Sequence, residues 1–180
     1  MASIKGFQLK NIKNILGREG YGCTATMYLN GKKIGTYADY GDGACEEVNY
    51  VSNEAEMEMM KVIIEYAKTY NNEFTINLYK ERPHQYEEEC KNFRKQYPYI
   101  PESDINIQTM ASNSIVYIVE DFLNLHDLEK IFKQYTKKGY KCISIDGDTI
   151  TAYPISWSEE KIESHAKGNK IYKCLTDFIK

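Results

Sequence analysis

The 180 residues carry 26 acidic and 23 basic side chains, a formal net charge of -3, with a hydrophobic fraction of 42%. A chain of this size can bury one core, so the sequence predicts a single α+β domain over 1–180, with 98–114 as the place for any subdivision. The slight acidic excess excludes a protein whose whole surface neutralises phosphates, although a local basic patch stays open.

Phe7 to Ile12 reads as a first strand, followed by a loop at Gly17-Arg18-Glu19-Gly20-Tyr21-Gly22. Cys23 to Leu29 alternates apolar and polar residues, and Asn30-Gly31 favours a type I′ turn. That turn sets an expected register of Leu29 with Lys32, Met27 with Ile34, Ala25 with Thr36 and Cys23 with Ala38. Met27 and Ile34 then face the core, while Tyr28, Lys33, Thr24 and Tyr37 face outward. An acidic turn, Asp39 to Gly43, leads to a fourth strand within Cys45 to Val51.

Asn53 with Glu56 suggests a capped helix start, and Met59, Ile63, Tyr66, Ala67 and Tyr70 follow on one helical face packed against the meander. Phe74 to Tyr79 reads as another strand. Pro83 suits a first helical turn, with Tyr86, Cys90, Phe93 and Tyr97 at helical spacing. Pro98 to Ser114 reads as a surface loop. Ile115 to Lys138 is predicted as a long amphipathic helix ended by Gly139, with a strand at its β-branched start as the alternative. A C-terminal hairpin, Tyr140 to Ile145 and Thr149 to Tyr153, turns at Asp146-Gly147-Asp148. Ser156 with Glu159 then offers a capping box, and Lys170 to Leu175 reads as a final strand.

No motif names a chemistry. Five cysteines without a C-x-x-C pair point to neither a disulfide framework nor a zinc knuckle and suit a reducing cytoplasm; Cys23, Cys90 and Cys142 read as small core residues. The start lacks the apolar run of a signal peptide and no stretch suits a membrane span, so a cytoplasmic location is expected. Asp148 with Glu159-Glu160-Lys161 matches the letters of a metal-dependent nuclease, yet a solvated first helical turn explains the same residues. His84, His126 and His165 are too scattered for a metal motif and read as surface helix residues. Neither a cofactor nor a metal is expected.

Two surface sets remain. Tyr37, Asp39, Tyr40, Asp42, Glu46 and Glu47 place carboxylates beside aromatic rings, a combination suited to an arginine-rich partner or simply to solvent. Lys10, Lys13, Arg18, Lys32 and Lys33 form the corresponding candidate for nucleic-acid binding, with direct DNA binding or metal-dependent nicking as its activity.

The segments Ile4 to Lys13, Gly17 to Gly22, Tyr28 to Gly35 and Phe132 to Tyr140 resemble small proteins of Firmicutes phages and mobile elements, a group that includes type II-A anti-CRISPR inhibitors. The resemblance rests on these four short segments and carries over no functional residue. It implies a non-enzymatic protein of the bacterial cytosol that binds an RNA-guided nuclease and blocks target DNA binding or cleavage, with the acidic turn meeting a basic channel.

Overall fold

A computed structural model describes residues 1–147 and 149–180. The architecture is α+β. An N-terminal antiparallel sheet runs in the order β1 (Phe7–Leu16), β2 (Tyr21–Leu29), β3 (Lys32–Asp39), β4 (Glu47–Tyr50). Asn30 and Gly31 take φ of +50° and +81°, the two positive values a type I′ turn needs.

The turn sets Leu29 opposite Lys32 and Tyr28 opposite Lys33, but the register then slips. Met27 lies opposite Gly35, Ala25 opposite Tyr37 and Cys23 opposite Asp39, in place of the expected Ile34, Thr36 and Ala38. The cause is a β-bulge that adds one residue at Ile34-Gly35. Gly35 suits it because a Cβ there would lie 2.4 Å from the Asn49 carbonyl oxygen and 2.8 Å from the Met27 methyl. Side chains alternate along a strand, so one extra residue exchanges the faces beyond it. Tyr37 is therefore buried, only 3% exposed, and Thr36 is exposed, the reverse of the sequence expectation for Tyr37. Met27 and Ile34 do face the core. A second bulge, between Lys10 and Lys13 with Asn11 at φ +55°, carries β1 four residues past its expected end at Ile12.

The chain divides into two compact units, Lys5–Glu120 and Met1–Ile4 with Asp121–Lys180. In the larger unit, α1 (Asn53–Ala67) is capped by Ser52, whose hydroxyl accepts the Ala55 N–H at 3.2 Å, and not by Asn53. Its buried Met59, Ile63 and Ala67 form the predicted stripe, and it packs on β3 and β4. The Phe74 to Tyr79 segment is helical, α2 (Glu73–Glu81), and not a strand. Asn72 caps it by accepting the Thr75 N–H, while its amide donates to the Ala111 carbonyl and the Tyr117 hydroxyl. That tertiary anchoring overrides a β-like composition. Pro83 opens α3 (Pro83–Gln96), which buries Cys90 and Phe93. Residues 98–114 are no open surface loop. They hold a 3-10 turn, Glu102–Asp104, and α4 (Ile107–Met110), with Ile100, Ile105, Thr109 and Met110 buried.

The division falls inside α5 (Ile115–Lys137), which is helical from its β-branched start and followed by Gly139 at φ +86°. The smaller unit has a sheet of order β6 (Thr149–Pro154), β5 (Tyr140–Asp146), β7 (Ile171–Tyr172), so the expected last strand is only two residues long. The expected hairpin turn at 146–148 includes Asp148, which lies outside the described residues. Ser158, and not Ser156, caps α6 (Glu159–Ala166). Cys142, Tyr153, Ile162 and Ala166 pack as a core, with Trp157 and Ile171 against them.

Ser3 bridges Ile179 in parallel, donating its N–H to Phe178 and accepting from Lys180. Below this closure Glu129 is buried, 1% exposed, and accepts the Ala2 N–H at 2.8 Å; the Lys133 ammonium stands 2.7 Å away and the Met1 ammonium 3.1 Å. Burial opposes its charge, but Lys133, the Ala2 N–H and the terminal ammonium outweigh that, holding its carboxyl down at about 2. His126 is half-buried and stacks on Phe122, so it is not the surface residue expected; burial first, with Lys130, lowers its pKa. Among the described residues no helix is long and apolar enough to cross a membrane.

Because the folded pKa of Glu129 lies below its ordinary value of 4.5, its contribution is complete above that pH and fades as pH falls towards about 2. Glu129→Gln is predicted to destabilise the fold at pH 7 by about 2–3 kcal/mol, since it removes the buried charge that Lys133, the Ala2 N–H and the terminal ammonium hold. The gap in Tm between the two proteins should narrow steadily on acidification from pH 4.5, as followed by circular dichroism; a gap independent of pH would remove Glu129 from this role.

Candidate interaction site

Two loops close the end of the meander opposite the Asn30-Gly31 turn. The first turns through Gly17 to Gly20, where the Gly17 N–H donates to the Gly20 carbonyl at 2.8 Å. The second holds Asp39 to Ala44, where Asp39 accepts the Gly41 N–H and Asp42 accepts the Ala44 N–H. The Glu19 N–H donates to the Gly41 carbonyl at 2.8 Å and ties one loop to the other. Close backbone approach makes this contact possible. A Cβ on Gly22 would sit 2.1 Å from the Asp39 carbonyl oxygen, and one on Gly41 2.4 Å from that of Gly20. Gly17 and Gly22 therefore act as spacers between two loops.

This braced end presents apolar groups to solvent. Leu16 and Tyr21 are a cross-strand pair, 73% and 83% exposed, and Tyr40 is 44% exposed. By strand alternation Leu16 and Tyr21 continue the row of Cys23, Ala25 and Met27, which is the core face, but they lie beyond the part that is buried. Acidic groups lie at the same end of the sheet. Asp42, Glu46 and Glu47 are exposed and Asp39 is half-buried. Their field reaches the adjoining interior: burial first, then Glu46 and Asp39, pushes the Tyr37 hydroxyl up, and burial followed by Asp39 raises the Cys23 thiol.

Of the six acidic and aromatic candidates, Asp39, Tyr40, Asp42, Glu46 and Glu47 gather at this end, while the Tyr37 ring lies on the core side. Sequence reasoning missed Leu16 and Tyr21. The available signal was their position on either side of the Gly17 to Gly20 loop, masked by the β1 bulge that breaks the alternation.

The basic candidates are spread along the sheet. Lys10 places its ammonium 4.2 Å over the Tyr28 ring, and Lys32 and Lys33 lie beside the Asn30-Gly31 turn. Lys13 stands opposite Thr24, and Arg18 lies in the acidic loop end, 3.2 Å from Glu19. In the smaller unit, Glu159 is held between Lys141 and Lys173, each at 2.5 Å, which lowers its carboxyl to about 2. Lys161 instead stands 4.0 Å over the Trp157 ring, so it and Glu159 serve different partners; Asp148, their third nuclease-like companion, is outside the described residues. Among the described residues no three His, Cys, Asp or Glu side chains gather as a metal site.

No protein-family model, curated protein or solved structure matches this chain.

Gly22→Ala is expected to cost about 1–3 kcal/mol, because its methyl would meet backbone that has no free rotor to yield. Gly20→Ala meets nothing within 4 Å and serves as the matched control. Equal urea midpoints for the two variants would mean that the loops are not braced by this contact.

Proposed function

We propose that the chain is a non-enzymatic, protein-binding inhibitor that docks through the loop end of the meander onto a basic surface of its partner. The observation that carries this reading is the exposed Leu16–Tyr21 pair held on braced loops. Large aromatic anchors give protein contacts most of their affinity, and a surface already ordered before binding loses little entropy on docking. Tyr40 widens the anchor. Asp39, Asp42, Glu46 and Glu47 form a rim whose charge steers a cationic partner and excludes acidic ones.

The resemblance of the Ile4 to Lys13 and Gly17 to Gly22 segments to small phage and mobile-element proteins, a group that includes type II-A anti-CRISPR inhibitors, supports one concrete partner: an RNA-guided type II nuclease in the cytosol of the bacterial host. The acidic rim then faces the cationic surface along which such a nuclease holds nucleic acid, and docking blocks target binding or cleavage.

The test is biolayer interferometry with a purified, guide-loaded type II nuclease, together with cleavage of a linear target. Binding is expected to protect the target, and association should slow markedly between about 50 and 500 mM salt, as screening predicts for charge-steered docking. Tyr21→Ala should weaken binding about tenfold or more, since truncating a central anchor costs on the order of 2 kcal/mol. No binding and no protection would overturn the nuclease reading. A salt-dependent DNA gel shift by the free protein, lost on Lys10→Ala and Lys33→Ala, would favour direct nucleic-acid binding in its place.

A further inference from the structure

The outer face of the meander has a charge pattern that its register alone creates. Lys13 pairs with Thr24, Thr24 with Ala38 and Ala38 with Glu47, which makes one row across all four strands. Lys10, Thr26, Thr36 and Asn49 make the next. The first row has long side chains at its ends and short ones in the middle, and the second is short from Thr26 to Asn49. The result is a shallow trough of about 350 Å³ lined by Lys13, Thr24, Thr36, Tyr40, Glu47 and Asn49 among others. None of Lys13, Thr24, Thr36 or Glu47 spends its side chain on a hydrogen bond or ion pair with another described residue.

We propose that this face is the contact between two copies of the chain, packed sheet to sheet about a two-fold axis running along the strands between β2 and β3. Such an axis exchanges β1 with β4 and β2 with β3, so each row lies over its own reverse. Lys13 meets Glu47 of the second copy and Glu47 meets its Lys13, giving two symmetric ion pairs. Between them Thr24 covers Ala38 and Thr26 covers Thr36. A row with the same sign at both ends would repel itself in this arrangement. Opposite signs make it complementary to its own copy, and the short central residues let the sheets approach to the usual ~10 Å.

The area sets the strength. With β4 four residues long and laid over β1, an overlap of about eight residues on each central strand and four on each outer one, at ~4.8 Å by ~3.3 Å per residue, gives on the order of 400 Å² per copy. That is below the ~800 Å² per partner of a standard interface, so the dimer is a weak, micromolar one. The axis leaves Leu16 and Tyr21 uncovered, because their side chains belong to the opposite face of the sheet. Dimerisation therefore leaves the Leu16–Tyr21 anchor free, while it engages Glu47 of the acidic rim and the Tyr40 edge of the trough.

The decisive experiment is sedimentation equilibrium of the whole chain from about 1 to 200 μM, a range that brackets a micromolar constant. The wild type should pass from monomer to dimer. Lys13→Glu alone and Glu47→Lys alone each create a same-sign row and should move the transition to about tenfold higher concentration or more, a change of at least 1.4 kcal/mol. Mixing these two weakened variants should restore the wild-type transition, because both ion pairs in the mixed dimer join opposite charges, and the double variant should dimerise like the wild type by itself. Restoration on mixing also shows that both variants are folded. A wild type monomeric throughout, a dimer indifferent to the single reversals, or single variants that fail to associate when mixed would overturn the inference.

Discussion

One extra residue in β3 governs the arrangement of the larger unit. Ile34 and Gly35 together oppose Met27, and every side chain beyond them exchanges faces. Without that insertion Tyr37 would stand in water and Thr36 in the core. With it, the buried row of β3 gains an aromatic ring, and the outer row becomes Thr36 and Ala38, short enough to leave a trough. The insertion is tolerated because Gly35 has no Cβ to strike the backbone of β4. A core and a surface of different character thus depend on a single close approach between neighbouring strands.

The loop end shows how a hydrophilic-looking segment acquires order. Asp39 and Asp42 each turn the chain by accepting a backbone N–H two residues on, so their carboxylates shape the loop as well as charging it. The Glu19 N–H then fastens the neighbouring loop through the Gly41 carbonyl. A flexible acidic loop would have to lose its conformational freedom on binding, whereas here that loss has already occurred on folding. The exposed Leu16 and Tyr21 are core-face residues for which the fold provides no cover.

Much of this was legible in the sequence, and the limits have physical causes. The Asn30-Gly31 turn, the apolar stripes of α1 and α5 and the break after α5 at Gly139 were legible because each is a local signal, carried by backbone preference or by a 3.6-residue period. The β3 bulge was not, since Lys32-Lys33-Ile34-Gly35 has no local feature that requires an extra residue; the need arises from β4 and Met27. The α2 segment misled because Phe, Thr, Ile and Tyr favour strands, while its helix rests on Asn72 contacts made to residues about 40 positions away. In the candidate site, the exposed acidic cluster was visible from composition alone. The apolar anchor was not, because an exposed Leu16 and a buried one have the same letter, and only the extent of the packed core separates them. Glu129 was equally hidden among ordinary helix charges.

The closure of the smaller unit has a bearing on how the protein forms. Lys5–Glu120 is one continuous stretch, whereas the other unit joins Met1–Ile4 to Asp121–Lys180 through the bridge from Ser3 to Ile179. The larger unit can acquire its contacts from neighbouring chain as it leaves the ribosome. The smaller one must hold Ser3 unpaired until Ile179 has been made, and the loop it then closes spans the residues between them. Its assembly is in this sense a late, non-local event, with Ala2 and Ile4 exposed to the cellular milieu in the interval.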